Sequence, residues 1–446
     1  MLDFFTSIDD FVWGPPLLVL LVGTGIYLTI RLGLLQIIRL PKAFKLIFAE
    51  DKGEGDISSF AALATALAAT IGTGNIVGVA TAIKTGGPGA LFWMWIAAFF
   101  GMATKYAEGL LAIKFRTLDD QGNVSGGPMY YITHGFSGKW QIIAKPLAYF
   151  FAFAGVLVAW LGIGTFSQVN SITSSLQNSF GWSPKIVSVI LALITAAIIF
   201  GGIQSISKVS EKVVPFMAGL YIIAALIVIF ANFNQLLPVL EMVFQSAFTG
   251  KAAVGGFAGA TVMAAMRLGI ARGVFSNESG LGSAPIAAAA KTEEPVEQGL
   301  ISMTGTFIDT IIICTLTGLA ILVTGQWSGS LEGAPMTQAA FSSIFGTFGE
   351  LALTLSLVLF AFTTILGWSY YGERCFEFIF KSTKFLSFYR LIFVVMVALG
   401  GYLTLEVVWK IADIVNGLMA LPNLIALLVL SPIILKESKS YFERHK

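Results

Sequence analysis

The sequence predicts an all-α integral membrane protein of eleven spans, two of them interrupted, and three observations carry that prediction. First, 56% of the 446 residues are hydrophobic and 12% charged, with a mean hydropathy of +0.83, far from the balance of soluble domains. Second, apolar stretches of about 20 residues, the length that crosses the hydrocarbon of a bilayer, recur along the whole chain. Third, two of those stretches carry glycine and small polar residues at their centres, in equivalent positions of two halves.

The spans fall at 15–35, 58–82, 89–113, 145–168, 184–203, 212–231, 253–290, 300–325, 350–371, 388–404 and 413–435. The first follows the acidic Asp9 and Asp10 and is succeeded by no small-residue cleavage pattern, so it reads as a retained span and not a signal peptide. An odd count puts the termini on opposite sides, and the positive-inside rule orients them. With the N-terminus outside, outer segments hold four basic residues, Lys84, Lys185, Lys251 and Lys410. Three more, Lys105, Arg267 and Arg272, lie well inside spans, and the remaining 20 of 27 are in cytoplasmic segments or at the cytoplasmic ends of spans. The expected location is the plasma (inner) membrane, with the C-terminus inside.

Setting aside the first span leaves ten, and the two interrupted spans are the first and sixth of these. Five is odd, so the second half enters from the opposite face, which makes inverted repeats that each open with a discontinuous helix, as in secondary transporters. The expected organisation is one transport domain: 1–56, an N-terminal span and cytoplasmic loop; 57–231, the first repeat; 253–435, the second; and 436–446, a cytoplasmic tail.

A helix broken within hydrocarbon leaves backbone groups that need partners, each costing several kcal/mol if unsatisfied. In the second span the break falls at Gly72, Thr73, Gly74 and Asn75. The glycines let the backbone unwind, while Thr73 and Asn75 supply side-chain oxygens. One reading is a ligand site; the other is close helix packing on small residues. In the seventh span Ala271, Gly273, Phe275 and Ser276 mark the expected unwound stretch, flanked by Arg272 and Glu278. Intramembrane charges face partners or cavities, so Arg272 and Glu278 read as a cytoplasmic gate, as an ion pair tying the half-helices, or as ligands of a substrate carboxylate. Half-helix ends offer amides to an anion and carbonyls to a cation, which suits a zwitterionic amino acid.

Three further features bear on the site. Thr363 and Thr364 sit together in the ninth span, as hydroxyl ligands for a hard cation or bonded to their own backbone. Trp368 follows about one turn later and either limits the pocket or packs. Gln168, at the end of the fourth span, either binds the ligand's carboxylate or caps its helix. Lys105 and Glu108, spaced i,i+3, are expected to pair with each other.

Several classes are disfavoured. Cys314 and Cys375 have no metal-ligand spacing, His134 and His445 are the only histidines, and there is no Walker sequence and no basic block suited to nucleic acid. A membrane enzyme would need a nucleophile–base pair or metal ligands that the spans do not offer. No organic cofactor is expected, and one copy surrounded by membrane lipid suffices. No carboxylate lies in the second span or beside Thr363, which favours sodium over a proton as the coupled ion.

Two long runs resemble a known family. GGPGALFWMWIAAFFGMATKYAEG, Gly86 to Gly109, and RGVFSNESGLGSAP, Arg272 to Pro285, are similar to signatures of the alanine or glycine:cation symporters, also called sodium:alanine symporters. The likeness extends over nearly the whole chain. It implies a core similar to the LeuT fold, eleven spans, and sodium-coupled uptake of alanine or glycine by alternating access. It further implies that Gly72 to Asn75 and Gln168 hold the amino acid's main-chain groups, while Phe166, the seventh-span break and Trp368 shape a small pocket. The sodium ion would be held by carbonyls of Ala68, Ile71 and Phe360 with the hydroxyls of Thr363 and Thr364. A proton-coupled or uncoupled amino-acid transporter on the same fold is the alternative.

Overall fold

The computed structural model describes residues 2–49, 57–118, 124–249, 262–287, 292, 294–402 and 405–445. Among these the chain is mostly helical, and its one strand pairing is the two-residue ladder of Thr117–Leu118 with Val124–Ser125. Eight helices are long and apolar enough to cross a membrane, or nine when Ser59–Thr70 and Gly74–Gly86, bent by 50° at their junction, are taken as one broken span. Two other expected spans are shorter helices. Pro184–Ile199 is apolar but has 16 residues, and the seventh is described only as Val262–Asn277 and the turn after it. Its expected ends, 253–261 and 288–290, lie outside the described residues.

Local chemistry sets many boundaries. Ser58 caps the second span, its Oγ accepting from the Ala61 amide at 3.0 Å. Prolines open Pro15–Arg31, Pro184–Ile199 and Pro295–Thr306, where a missing amide costs nothing. The last expected span, 413–435, is corrected: its helix ends at Val429, and Ser431, followed by Pro432, starts a separate helix. The fourth is corrected too. Its helix ends at Leu161, and after Gly162 to Thr165 a new helix runs from Phe166 to Phe180, so Gln168 stands in a first turn and not at a span's end. Helices Phe233–Thr249 and Gly333–Phe345 were not anticipated; they are not continuously apolar, so a search for membrane-length stretches passes over them.

Burial follows membrane logic. Pro184–Ile199 exposes Ile186, Ile190, Leu193 and Ile194 on one side and buries Val187, Leu191 and Thr195 on the other, as expected of a helix facing lipid. By contrast, Gly89–Lys114 is enclosed by Val262–Asn277 and Pro295–Thr306. A Cβ on Gly109 would come within 2.4 Å of Ser302 Oγ, so small residues permit this approach. Two π-helical stretches, Gly74–Gly78 and Phe307–Cys314, interrupt otherwise α-helical spans, and both face the site.

Candidate functional site

At the first break the backbone leaves the helix at Ile71, whose ψ is 93°. The Gly72 amide, which in a continuous helix would bond to the Ala68 carbonyl, donates instead to Asn75 Oδ1 at 2.8 Å. The Thr73 amide donates to Gln168 Oε1 at 3.2 Å. The unwinding thus frees the Ala68 carbonyl from its helical partner and ties the break to the helix that starts at Phe166, itself buried. Three buried polar atoms around this junction have no partner among the described residues: Thr73 Oγ1, Ser167 Oγ and Gln168 Nε2.

Thr364 Oγ1 donates to the Phe360 carbonyl at 3.0 Å and lies 3.4 Å from the Ile71 carbonyl, and Thr363 Oγ1 donates to the same Phe360 carbonyl at 3.0 Å. Two carbonyls and two hydroxyls therefore meet across two spans, with Gly72 between them: a Cβ there would lie 2.4 Å from Thr364 Oγ1. The hydroxyls do bond to their own helix, and the Ile71 carbonyl shares the same spot.

The second break lies later than the sequence reading put it. Ala271, Gly273, Phe275 and Ser276 are helical, because Val262–Asn277 is continuous. The chain turns at Glu278, with φ +58°, and at Gly280 and Gly282, with φ +89° and +78°, and resumes as a 3-10 turn at Ala284–Ala287. Left-handed backbone is cheap for glycine, so the paired glycines set the break. Gly273 serves packing, its Cβ position 3.4 Å from Met94 Cα. The two interrupted spans meet where Gly74 approaches Ser276 and Phe275: a Cβ on Gly74 would lie 3.0 Å from Ser276 Cα and 3.4 Å from Phe275 Cδ1.

Arg272 and Glu278 do not pair. Arg272 donates twice to Asp413, at 2.9 and 2.6 Å, and its guanidinium lies over the rings of Phe275 and Trp409. This pair borders a cavity of about 530 Å³ that also meets Ser174, Glu332 and Lys410. Glu278 accepts from Trp368 Nε1 at 2.8 Å and from Ser283 Oγ at 2.5 Å. Trp368 is thus a buried ring whose polar end is held by the second break.

Lys105 and Glu108 do not pair with each other either; each serves one end of that break. Lys105 Nζ donates to the Asn277 carbonyl at 2.8 Å, satisfying the C-terminal end of a half-helix. Glu108 Oε1 accepts from the Gly280 and Gly282 amides, both at 3.1 Å, and from Asn423 Nδ2 at 2.6 Å. These amides hold an internal carboxylate, so in this conformation they are not open to a substrate's.

One residue escaped the sequence reading altogether. Asp309, on the π-helical stretch of the eighth span, is fully buried and joins both interrupted spans. Its Oδ1 accepts from Asn75 Nδ2 at 2.7 Å and its Oδ2 from Ser276 Oγ at 2.9 Å and Thr310 Oγ1 at 2.7 Å. The surroundings of the first break are therefore not free of carboxylates, which removes one argument for sodium. A lone acid amid Phe307, Ile308, Ile311 and Ile312 was the available signal, since intramembrane acids mark function by default.

Comparison with known proteins gives a consistent picture. A family model described as "Sodium:alanine symporter family" matches residues 1–446. The chain is 51% identical over 450 residues, 99% of its length and 97% of the relative's, to "Sodium/alanine symporter AgcS" of Methanococcus maripaludis. It is 39% identical over 444 residues, 98% and 90% of the two lengths, to "Probable sodium/glutamine symporter GlnT" of Bacillus subtilis. Among solved structures, a Na+-coupled sialic acid symporter in a substrate-bound outward-open state is similar with a TM-score of 0.51 at 13% identity, covering 91% of this chain and 82% of that one. A manganese transporter of Eremococcus coleocola matches with a TM-score of 0.51 at 14% identity, over 85% and 80%. At such identities the likeness is one of fold.

Proposed function

This chain belongs to the sodium:alanine symporter family, and from that premise we propose that it couples uptake of alanine or glycine to sodium by alternating access. The architecture proposed for it is one N-terminal span followed by a LeuT-like core of two inverted five-span repeats, 57–231 and 253–435, eleven spans in all, with the N-terminus outside. The bent second span, the break at Glu278 to Gly282 and the shared fold with membrane transporters support it.

The observation that carries the substrate reading is the set of orphaned polar atoms at the first break. Thr73 Oγ1, Ser167 Oγ and Gln168 Nε2 are buried without partners among the described residues, an expense that a bound polar solute offsets. A zwitterionic main chain offers both donors and acceptors to such a set. Gly72 to Asn75 and Gln168 are its proposed partners, and Phe166, Phe275, Ser276 and Trp368 its proposed walls. Gly74 pressed against Ser276 and the enclosed Trp368 ring would bar a bulky side chain.

For the ion, the carbonyls of Ala68, Ile71 and Phe360 with the hydroxyls of Thr363 and Thr364 supply the oxygen ligands a hard cation prefers. The Arg272–Asp413 pair closes the outer side and the Trp368–Glu278 bond the inner. Proton coupling on the same fold is the second reading, favoured by the buried Asp309 carboxylate beside Asn75. Competition against labelled alanine in proteoliposomes tests the substrate: glycine should compete and leucine should not, whereas displacement by glutamine with no effect of glycine would overturn the assignment.

A further inference from the structure

The residues ahead of the first span are tied to the pair that Arg272 and Asp413 form. Leu2–Val12 is a helix that runs through Trp13 and Gly14 into the first span at Pro15. Asp9, in its last turn, accepts from Lys410 Nζ at 2.7 Å, and Trp13 Nε1 donates to the carbonyl of Asp413 itself at 2.9 Å. Val12 occupies the space that a Cβ on Gly417 would need. All three contacts fall on one helix, Leu405–Val429. Asp10 reaches the other way, its Oδ1 accepting at 2.6 Å from Arg267, on the helix Val262–Asn277 that also carries Arg272. The N-terminal helix therefore holds both partners of the closure.

The two attachments differ in kind. Asp9 and Trp13 are buried against the last span, where a polar group that loses its partner is left short of any other. Asp10 and Arg267 are 54% and 35% exposed, and water takes the place of a lost partner, so such a pair parts readily. When the seventh and last spans separate, as the parting of Arg272 from Asp413 requires, the N-terminal helix stays with the last span and the break falls between Asp10 and Arg267.

We propose that Leu2–Val12 is a latch on the Arg272–Asp413 closure: Asp9, Val12 and Trp13 fix it to the last span, and the Asp10–Arg267 pair is the catch that holds the seventh span and lets it go. Asp9, Asp10 and Trp13 are positioning residues, which act on the closure and touch no substrate. Asp9 also acts electrostatically on both Arg272 and Asp413. The inference rests on the reading of that pair as the outer closure and adds to it a role for the segment that precedes the ten-span core.

The test uses the full chain in proteoliposomes with a cysteine at Ser174, beside the cavity that the pair borders, and reads its rate of reaction with a membrane-impermeant thiol reagent. Cys314 and Cys375 are buried, and the chain with Ser174 intact gives the background. Asp10→Arg and Arg267→Asp should each speed the reaction about threefold, within the range of an exposed ion pair, and the two together should restore the starting rate. Half-saturating external alanine should fall in each single variant, because the fraction of protein ready to bind from outside rises; a loss of structure alone would lower the maximal rate and leave half-saturation where it was. Unchanged labelling in both single variants, or a double variant as fast as either, overturns the latch. Asp413→Asn separates the two failures: faster labelling there with no change in Asp10→Arg sinks the latch and leaves the closure standing, while no change in either sinks both.

Discussion

Asn75 makes more contacts than any other residue of the first break: its oxygen holds the Gly72 amide and its nitrogen the carboxylate of Asp309. Asn75→Ala removes both, leaving a buried donor and a buried charge short of partners at about 1–3 kcal/mol each. Alanine binding should be nearly abolished, and isothermal titration that returned near-normal affinity would refute the role. Trp368 divides more finely. Trp368→Phe keeps a ring but loses the donor to Glu278, and should speed alanine efflux while selectivity against leucine is retained. Trp368→Ala should admit leucine, read by competition, and unchanged selectivity would leave the ring as packing. At this scale the sequence was readable where residue type and chemistry coincide. Gly72 to Asn75 and the two threonines were found because glycine and hydroxyls stand out in apolar sequence. Asp309 lies outside both glycine-rich breaks, and its partner Asn75 is 234 positions away.

For the elements, both interruptions were legible in glycine density, but only the first in its position. The misplaced second one shows why: Gly273 and Gly280 look alike in sequence, yet one allows a neighbouring helix to approach and the other adopts φ +89°. Gly282→Ala separates these roles. At φ +78°, with a Cβ position 2.6 Å from Pro128 Cγ, alanine there is strained by about 1 kcal/mol or more, and transport should fall even though no atom proposed to touch substrate has changed. Gly273→Ala, whose Cβ meets Met94 at ordinary contact distance, should be tolerated; equal loss in both would contradict the placement of the break. The proposed outer closure at Arg272 and Asp413 makes its own prediction. Removing one partner of a buried ion pair costs about 3–5 kcal/mol, so Asp413→Asn should shift the protein toward outer opening. A cysteine at Ser174, beside the same cavity, should then react faster with a membrane-impermeant thiol reagent.

Taken whole, the molecule is a membrane transporter whose class could be read from composition and span length alone, because both follow directly from the solvent it must fit. The long-range partners could not, since pairing of Arg272 with Asp413, or of Glu108 with the amides of Gly280 and Gly282, depends on packing that no spacing encodes. What the structure adds is a single centre in which two interrupted helices, a carbonyl and hydroxyl cluster and a buried carboxylate converge. This centre is proposed to move a small neutral amino acid only together with sodium. Accumulation of labelled alanine in proteoliposomes, with an inward sodium gradient and with the same gradient of potassium or of protons, tests it most directly. Uphill accumulation with sodium alone is the predicted result; equal uptake under all three conditions, or accumulation with protons alone, would contradict it.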